Sequence, residues 1–283
     1  MQIQEIKPLQ KAELKLLIEA DRICKELGIK YYLIGGTLLG AVRHGGFIPW
    51  DVDIDIAMVR DEYEKFCKYC IEKDSDVFFY EDYTTEKNHP ERHAIFKLKN
   101  TTVQYKLNKN EPLKKQCYGI YLDIFPLDFA PDEEKKQKAQ QNAIKFYSML
   151  LEAKACRDYG GGKLRYAVKK VLSILLKPVS ISALQKKVDK KMQQYNNGPR
   201  NYIVSMASHY SYQKQLMPFG VYGNPQKIMF EGLEFYAPEK TGEYLKRIYK
   251  DYMKLPPEDE RYEMVESIEY VDYGIYGDTG DKE

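Results

Sequence analysis

The chain lacks the features that mark membrane-spanning or secreted proteins. None of its apolar runs approaches the roughly 18 residues that cross a bilayer, and the first residues are charged, without the apolar core of a signal peptide. The five cysteines are an odd number without paired spacing, and Cys67 and Cys70 fall on the apolar side of a predicted helix. We therefore predict buried, reduced thiols in a soluble, cytoplasmic protein, with the inner face of the membrane as an alternative location.

Histidine and net charge are also low. The chain has 4 histidines, and Pro90 between His89 and His93 argues against a common helix, so a zinc site is not expected. The net charge is +2, and no basic patch with interleaved aromatics accompanies the motif described below, which argues against a nucleic-acid partner. With 283 residues, of which 43% are hydrophobic, the chain is long enough to bury a full core.

The most informative stretch is residues 33–58. Tyr31–Ile34 is a short apolar run that predicts a strand, and it stops at Gly35 and Gly36. We predict that Thr37 is the N-cap of the short helix that follows. Glycines allow backbone N–H groups to approach an anion, and a helix N-terminus favours negative charge. Gly35, Gly36 and Thr37 are therefore predicted to bind phosphate groups of a substrate.

A second predicted strand, Asp53–Met58, carries two acids on one face. Asp53 and Asp55 alternate with Ile54 and Ile56, which call for a buried opposite face. Two carboxylates roughly 7 Å apart along a strand repel each other unless a cation lies between them. Mg²⁺ suits such an all-oxygen site, particularly when substrate phosphates complete its coordination. A solvated strand edge is the alternative interpretation.

A third acid lies in the predicted strand Tyr118–Phe125. Asp123 has strongly apolar neighbours, and a buried carboxylate without a partner is costly, so it requires a metal ion, a cation or a helix end. We predict that it joins Asp53 and Asp55 in a catalytic, metal-binding trio, with capping of a nearby loop as the alternative. Asp128 is assigned to the turn that leaves the strand.

Two basic residues are predicted to contact substrate phosphates. Arg43 closes the short helix, where its guanidinium is able to bind a phosphate through two hydrogen bonds or to cap the helix end instead. Lys97 alternates with Phe96 and Leu98 in a predicted strand, which places its ammonium on the opposite face from those two. Neighbouring strands of a sheet share their faces, so this is the face on which we expect the acids.

The composition changes after Ala130, and we divide the chain there. Residues 1–130 are predicted to form a catalytic core, and residues 131–283 a helical and mixed region that completes the donor and acceptor site. Residues 163–177 contain five basic residues and no acid. We interpret them as a core helix with a solvated basic face, with contact to an anionic membrane as the alternative. Residues after Pro256 are predicted to be extended and partly loose.

The motif spanning residues 35–56 carries a resemblance to a known family. Its sequence is Gly-Gly-Thr-Leu-Leu-Gly-Ala-Val-Arg-His-Gly-Gly-Phe-Ile-Pro-Trp-Asp-Val-Asp-Ile-Asp-Ile. It resembles the signature of the LicD-type phosphocholine transferases, which share the polymerase-β-like nucleotidyltransferase fold and are related to the fukutin group. The resemblance recurs at residues 121–128, 230–232 and 252–257. Val52, where an Asp is expected, and Lys250, where a Gly is more usual, depart from the pattern.

The resemblance implies a fold and a reaction. The expected fold is α+β, with a nucleotidyltransferase-like mixed sheet flanked by helices and a mainly helical C-terminal lobe. The expected reaction is transfer of phosphocholine from CDP-choline to a hydroxyl of a surface glycan, with release of CMP. It implies one or two Mg²⁺ ions, or Mn²⁺, at the three aspartates, and it supports a phosphate contact at Lys97. The alternatives are another CDP-linked donor, nucleotidyl transfer with release of pyrophosphate, and a glycan-binding protein without activity.

Overall fold

The computed structural model describes residues 6–73, 75–89, 91–105, 116–155 and 162–276. It confirms the mixed α+β architecture. The α-helices are α1 (Ile6–Leu27), α2 (Gly35–His44), α3 (Arg60–Glu72), α4 (Glu134–Lys154), α5 (Gly162–Leu175), α6 (Ile181–Met192), α7 (Tyr212–Gln215), α8 (Phe219–Tyr222), α9 (Thr241–Tyr249) and α10 (Glu263–Ser267). The strands are β1 (Tyr32–Leu33), β2 (Asp55–Val59), β3 (Phe78–Glu81), β4 (Ala94–Leu98), β5 (Thr102–Tyr105), β6 (Gln116–Tyr118), β7 (Tyr121–Ala130), β8 (Tyr202–Val204), β9 (Met217–Pro218), β10 (Gln226–Phe230), β11 (Leu233–Ala237) and β12 (Ile268–Asp272).

A mixed sheet forms the centre of the molecule. Its strand order is β1-β2-β7-β4-β3, and β8 and β9 extend it from the second half of β7. The pair β2 and β7 is parallel, whereas the other pairs in the sheet are antiparallel. Ile54 and Ile56 are fully buried, so the alternation that the sequence indicates does place an apolar face in the core.

Helices α1 and α3 each bury one face in the core. The inner face of α1 is buried at Leu16, Leu17, Ala20 and Ile23, and the helix ends at Gly28, whose φ is +64°. On α3, Cys67 and Cys70 are buried free thiols, as predicted. Ile71, near the end of α3, is exposed.

The strand predicted at Tyr118–Phe125 is wrong in its extent. Gly119 adopts a φ of +100° and separates β6 from β7, and β7 then continues through Pro126 to Ala130. Asp128 therefore lies inside a strand and not in a turn. It is fully buried and accepts hydrogen bonds from Arg60 Nε at 2.8 Å and Nη2 at 2.6 Å. This two-point ion pair supplies the partner that a buried carboxylate requires.

The last segment of the chain is also more ordered than predicted. Of the residues after Pro256, the described ones include α10 and β12, and β12 pairs antiparallel with β5 in the first half of the chain. Up to residue 276, the prediction that this segment is partly loose is therefore wrong, whereas β12 is extended as predicted. Val265 and Ile268 are buried in the core, which explains the docking of this segment.

The division of the chain at residue 130 stays a prediction, although elements from both sides contribute to one sheet. Among the described residues, no helix is both long and apolar enough to cross a membrane.

Candidate active site

Strand pairing brings the predicted aspartates together. In the parallel pair of β2 and β7, Asp55 is in register with Asp123. Residues in register on neighbouring parallel strands point to the same face, with strands about 4.8 Å apart. Asp53, in the segment that enters β2, lines the same cavity as Asp55. The cavity has a volume of about 760 Å³.

A fourth carboxylate, Asp51, was missed by the sequence analysis. It lines the cavity beside Asp53 and Asp55. Its backbone carbonyl accepts a hydrogen bond of 2.8 Å from Gln10 Nε2 on α1, which also donates to the carbonyl of Ile48. The signal that could have found it is the spacing of three aspartates at every second residue from position 51 to 55.

Burial and mutual repulsion disfavour the ionised forms of these acids. Burial raises the pKa of Asp53 well above its ordinary value, and the charges of Asp51, Asp55 and Asp123 add to the effect. Burial also raises the pKa of Asp55, together with the charges of Asp123 and Asp51. The pKa of Asp51 is raised by burial as well, although a hydrogen bond with Asp53 opposes the shift. Such a cluster attracts cations.

His93 approaches Asp123 from the start of β4. Its Nε2 lies 3.2 Å from Asp123 Oδ1, which is ion-pair distance without hydrogen-bond alignment, and no other described residue donates a hydrogen bond to this oxygen. The imidazole also stacks on Phe125, with 4.4 Å between ring centroids. Burial alone would lower the pKa of His93, but the contact with Asp123 and the charges of Asp123, Glu91 and Asp55 together outweigh burial and raise it. No sequence pattern links His93 to Asp123.

Gly35 and Gly36 make room for the carboxylates. Gly35 has a φ of +56°, and a Cβ at this position would lie 2.6 Å from Asp55 Oδ2. A Cβ at Gly36 would collide with Asp51 Oδ2. The Gly35 N–H donates to Tyr244 Oη at 3.2 Å. These positions therefore require glycine for close contact with the acids themselves.

Thr37 is not the N-cap of α2. The helix begins at Gly35, so the N-cap position belongs to Ile34, and Thr37 lies within the first turn. Its hydroxyl instead accepts a hydrogen bond of 2.8 Å from the backbone N–H of Asp55. This contact fixes the start of β2 against α2 and so positions the Asp55 side chain.

The two basic residues predicted to bind phosphate have different surroundings. Arg43 lines the cavity, and its Nη1 donates to the backbone carbonyls of Tyr252 at 3.2 Å and Lys254 at 3.3 Å. Burial lowers its pKa. Lys97 shares the Asp123 face of the sheet, but it is buried and its Nζ lies 2.5 Å from Glu81 Oε2. The cavity lining, as far as the described residues define it, does not include Lys97.

The remaining wall of the cavity comes from the C-terminal half of the chain and carries cationic and aromatic side chains. Lys250, Lys254 and Arg261 lie there, together with Tyr210, Tyr244, Tyr249 and Tyr252. Trp50, from the motif, faces the Arg261 guanidinium, which lies 5.0 Å from its ring centroid. Arg261 falls in the segment that the sequence analysis considered loose, so its place at the site could not be predicted.

The hairpin of β10 and β11 holds the loop that precedes Asp51. At its tip, Glu231 accepts a hydrogen bond of 2.9 Å from the Phe47 N–H through Oε1, and its own N–H donates to the Gly45 carbonyl at 3.0 Å. Glu231 adopts a φ of +51°, an unfavourable conformation for a residue with a side chain. The hairpin thus fixes the chain three residues before Trp50.

The donor chemistry of the four carboxylates fits a hard divalent cation. They supply only oxygen atoms, burial and neighbouring negative charges raise the pKa values of Asp53 and Asp55, and Asp123 Oδ1 accepts no hydrogen bond from a described residue. Within the described ranges, no three His, Cys, Asp or Glu side chains are already arranged to hold a metal ion.

Comparison with known proteins gives consistent matches. A family described as LicD/FKTN/FKRP, nucleotidyltransferase domain, matches residues 28–151, which include all four aspartates. The chain is 31% identical over 264 residues to the lipopolysaccharide cholinephosphotransferase LicD of Haemophilus influenzae, covering 88% of this chain and 91% of the relative. It is also 45% identical over 40 residues to the ribitol 5-phosphate transferase FKRP of mouse and human, covering 14% of this chain and 8% of theirs.

Proposed function

The chain belongs to the LicD family of transferases, and we propose that it transfers phosphocholine from CDP-choline to a hydroxyl of a lipopolysaccharide or related glycan. The observation that carries the proposal is the register of Asp55 with Asp123, beside a cavity that Asp51, Asp53 and Asp55 line. The relative that is similar over most of the chain is named as a lipopolysaccharide cholinephosphotransferase.

In the proposed reaction, the acceptor hydroxyl oxygen attacks the phosphorus that carries choline. A new P–O bond forms to the glycan, the P–O bond to the bridging oxygen breaks, and CMP leaves with that oxygen. The hydroxyl proton passes to Asp123 Oδ1, whose acceptor capacity is not used by the described residues. His93 stabilises and orients the Asp123 carboxylate from 3.2 Å.

Asp53, Asp55 and Asp123 are the proposed ligands of one or two Mg²⁺ ions, with Asp51 as a further carboxylate at the same site. When bound, the metal would supply positive charge that neutralises the phosphate oxygens during transfer. Gly35 and Gly36 admit the carboxylates at close range, and Thr37 holds the Asp55 backbone. In this role, the glycines and Thr37 position the acids, in addition to the phosphate contacts predicted from the sequence.

The opposite wall is suited to the rest of the donor. Arg43, Lys254 and Arg261 add positive charge for the pyrophosphate. The electron-rich faces of Trp50 and of the cavity tyrosines suit a quaternary ammonium group through cation–π contact. Lys97, which is paired with Glu81, is assigned an indirect role in which it neutralises charge beside the site.

A second candidate donor is a CDP-linked polyol phosphate. The match to FKRP, named as a ribitol 5-phosphate transferase, covers only 40 residues. Because the carboxylates would contact the pyrophosphate and not the group attached to it, they do not distinguish choline from ribitol.

The test is an assay of the purified protein with Mg²⁺, lipopolysaccharide and a panel of donors: CDP-choline, CDP-ethanolamine, CDP-ribitol and CTP. Acceptor-dependent release of CMP from CDP-choline supports the proposal. Release of CMP from CDP-ribitol alone would replace choline with a polyol, and release of pyrophosphate from CTP would contradict phosphocholine transfer. Asp53→Asn should lose activity, whereas the exposed Asp61→Asn on α3 should retain it and serves as the matched control.

A further inference from the structure

Helix α5 presents its apolar side chains to solvent. Val168, Val171, Ile174 and Leu175 are 49%, 58%, 56% and 69% exposed. By contrast, Lys169 is buried, and its Nζ lies 3.1 Å from Glu152 Oε2 on α4. This is the reverse of the core helix with a solvated basic face that the sequence predicted, and it requires an explanation.

The exposed residues recur at the spacing of one helix face. Positions three and four apart project on the same side of a helix, so Val168, Val171, Ile174 and Leu175 form one continuous stripe, here called the apolar face of α5. Two further apolar side chains, Phe146 and Met149, are exposed on α4, against which α5 packs. Single exposed apolar residues are common on protein surfaces, whereas several on one helix face, as on α5, mark an interaction site.

The surrounding charge is strongly basic. Residues 134–192, from the start of α4 to the end of α6, contain fifteen Lys and Arg against four Asp and Glu, which leaves 29 against 38 in the rest of the chain. The net charge of +2 therefore conceals a molecule with one basic region. Lys170 on α5 and Lys177, two residues after the end of α5, are exposed.

We propose that the apolar face of α5 lies on the surface of a membrane that contains anionic phospholipids. Aliphatic side chains would enter the boundary between headgroups and acyl chains, and the neighbouring lysines would contact lipid phosphates. A second copy of the chain fits this surface poorly, because two equally basic regions repel each other. A nucleic acid fits it poorly as well, since the centre of the surface is aliphatic and offers no aromatic stacking.

This surface is separate from the candidate active site. The cavity lining, within the part of the chain that the structure describes, includes no residue of α4 or α5. The proposal therefore stands or falls independently of the transferase reaction.

The test is flotation of the full-length protein with vesicles of phosphatidylcholine alone or with added phosphatidylglycerol. We expect binding to the anionic vesicles that weakens as salt concentration rises, and little binding to the neutral ones. Ile174→Glu should reduce the binding constant about tenfold or more, because it places a charge in the inserted face. Ile71→Glu is the matched control, since Ile71 is also an exposed helical isoleucine but lies on α3, and it should bind like the unmodified protein.

Lys170→Gln and Lys177→Gln should each weaken binding about fivefold at low salt. All variants should keep the circular dichroism spectrum and melting temperature of the unmodified protein, because the substituted side chains are exposed. Equal flotation of Ile174→Glu and Ile71→Glu would overturn the proposal. Two other results would also overturn it. If vesicles did not bind and the protein had a doubled mass that Ile174→Glu abolished, the face would bind a second copy of the chain. Salt-dependent binding to RNA, without binding to vesicles, would assign the face to a nucleic acid.

Discussion

Asp53 lies between Asp51 and Asp55 in the chain and shares a cavity wall with both. Because burial and its neighbours raise its pKa in the folded protein, the folded state binds more protons than the unfolded state at intermediate pH. The contribution of Asp53 to stability is therefore fully present below its unfolded pKa and is lost as the pH rises through its folded pKa. The acid cluster is a source of repulsion in the absence of a cation, which is typical of functional sites.

Asp53→Asn should therefore change stability and activity in opposite directions. Without divalent cations at neutral pH, we expect a higher melting temperature, because the substitution removes one of the repelling charges. Turnover should fall on the order of a thousandfold, because the carboxylate contributes to electrostatic stabilisation of the transferring phosphate. Thermal unfolding and the CMP-release assay measure the two effects. A lower melting temperature would contradict the repulsion, and Asp61→Asn should change neither quantity.

Asp128 is a buried acid of a different kind. It accepts two hydrogen bonds from Arg60 and one of 2.7 Å from Asn196 Nδ2. Burial would lower the pKa of Arg60, but the charges of Asp128 and Asp189 raise it above its ordinary value. Both carboxylate oxygens of Asp128 thus have hydrogen-bond donors.

Asp128→Ala should reduce the free energy of unfolding by about 3–5 kcal/mol, because it leaves the Arg60 charge buried without its main partner. Urea denaturation followed by circular dichroism measures this loss. The double variant Arg60→Met with Asp128→Leu should recover much of it, since an apolar pair of similar volume leaves no charge to compensate. A double variant as unstable as Asp128→Ala would show that packing, and not charge, determines the loss.

Among the individual site residues, the sequence predicted those that local patterns reveal and missed those that depend on tertiary contacts. Asp53 and Asp55 were found because a strand repeats every two residues, and Asp123 because a carboxylate among apolar neighbours is conspicuous. In the structure, Asp53 and Asp55 line one cavity, Asp123 is in register with Asp55, and the charge of Asp123 acts on Asp53. His93 was excluded as a zinc ligand but not placed at the site, because its contact with Asp123 depends on the pairing of β4 with β7 and not on any local pattern.

At the scale of secondary-structure elements, the hairpin of β10 and β11 makes hydrogen bonds to the loop that follows helix α2. Gly46 in this loop has no room for a side chain, because a Cβ would collide with Glu231. The loop leads to Trp50 and Asp51, so its position determines where those side chains enter the cavity.

Glu231→Ala should lower kcat/KM by about tenfold or more, because it removes the acceptor for the Phe47 N–H and lets the loop shift. Misplacement of a catalytic group by about 1 Å costs up to about a hundredfold in rate. Glu231→Gln keeps an amide oxygen at the same position and should retain most of the activity. Steady-state kinetics of both variants make the comparison. Equal losses in the two would mean that the charge of Glu231 matters, and not its hydrogen bond to the loop.

Element boundaries were predictable where local chemistry determines them. Gly28 ends α1, and Gly232 lies in the tight turn between β10 and β11, both with a positive φ that glycine adopts readily. β7 was cut short because proline lacks an N–H and is rare inside sheets, yet Pro126 pairs with Met58 in the parallel ladder. The orientation of α5 was wrong because an apolar stripe does not reveal whether protein or another surface covers it.

At the scale of the whole molecule, long-range pairings assemble the site from distant parts of the chain. β8 pairs with β7, β12 pairs with β5, and Tyr244 Oη accepts a hydrogen bond from the Gly35 N–H. Composition alone indicated a change near residue 130, but it could not show that the second half returns to the first. Such pairings depend on strand topology, which local periodicity does not specify.

The pairing of β12 with β5 leads to a final prediction. Ile268 is fully buried at the start of β12, whereas Tyr270, two residues later, is exposed. Ile268→Ala should lower the free energy of unfolding by about 2–5 kcal/mol, because it leaves a cavity in the core. It should also raise the KM for the donor, since the same segment holds Arg261 over Trp50 at the cavity wall. Tyr270→Ala should alter neither the urea midpoint nor the KM substantially. If Ile268→Ala lowered stability but left KM unchanged, the segment would stabilise the fold without shaping the cavity, and Arg261 would have no role in binding the donor.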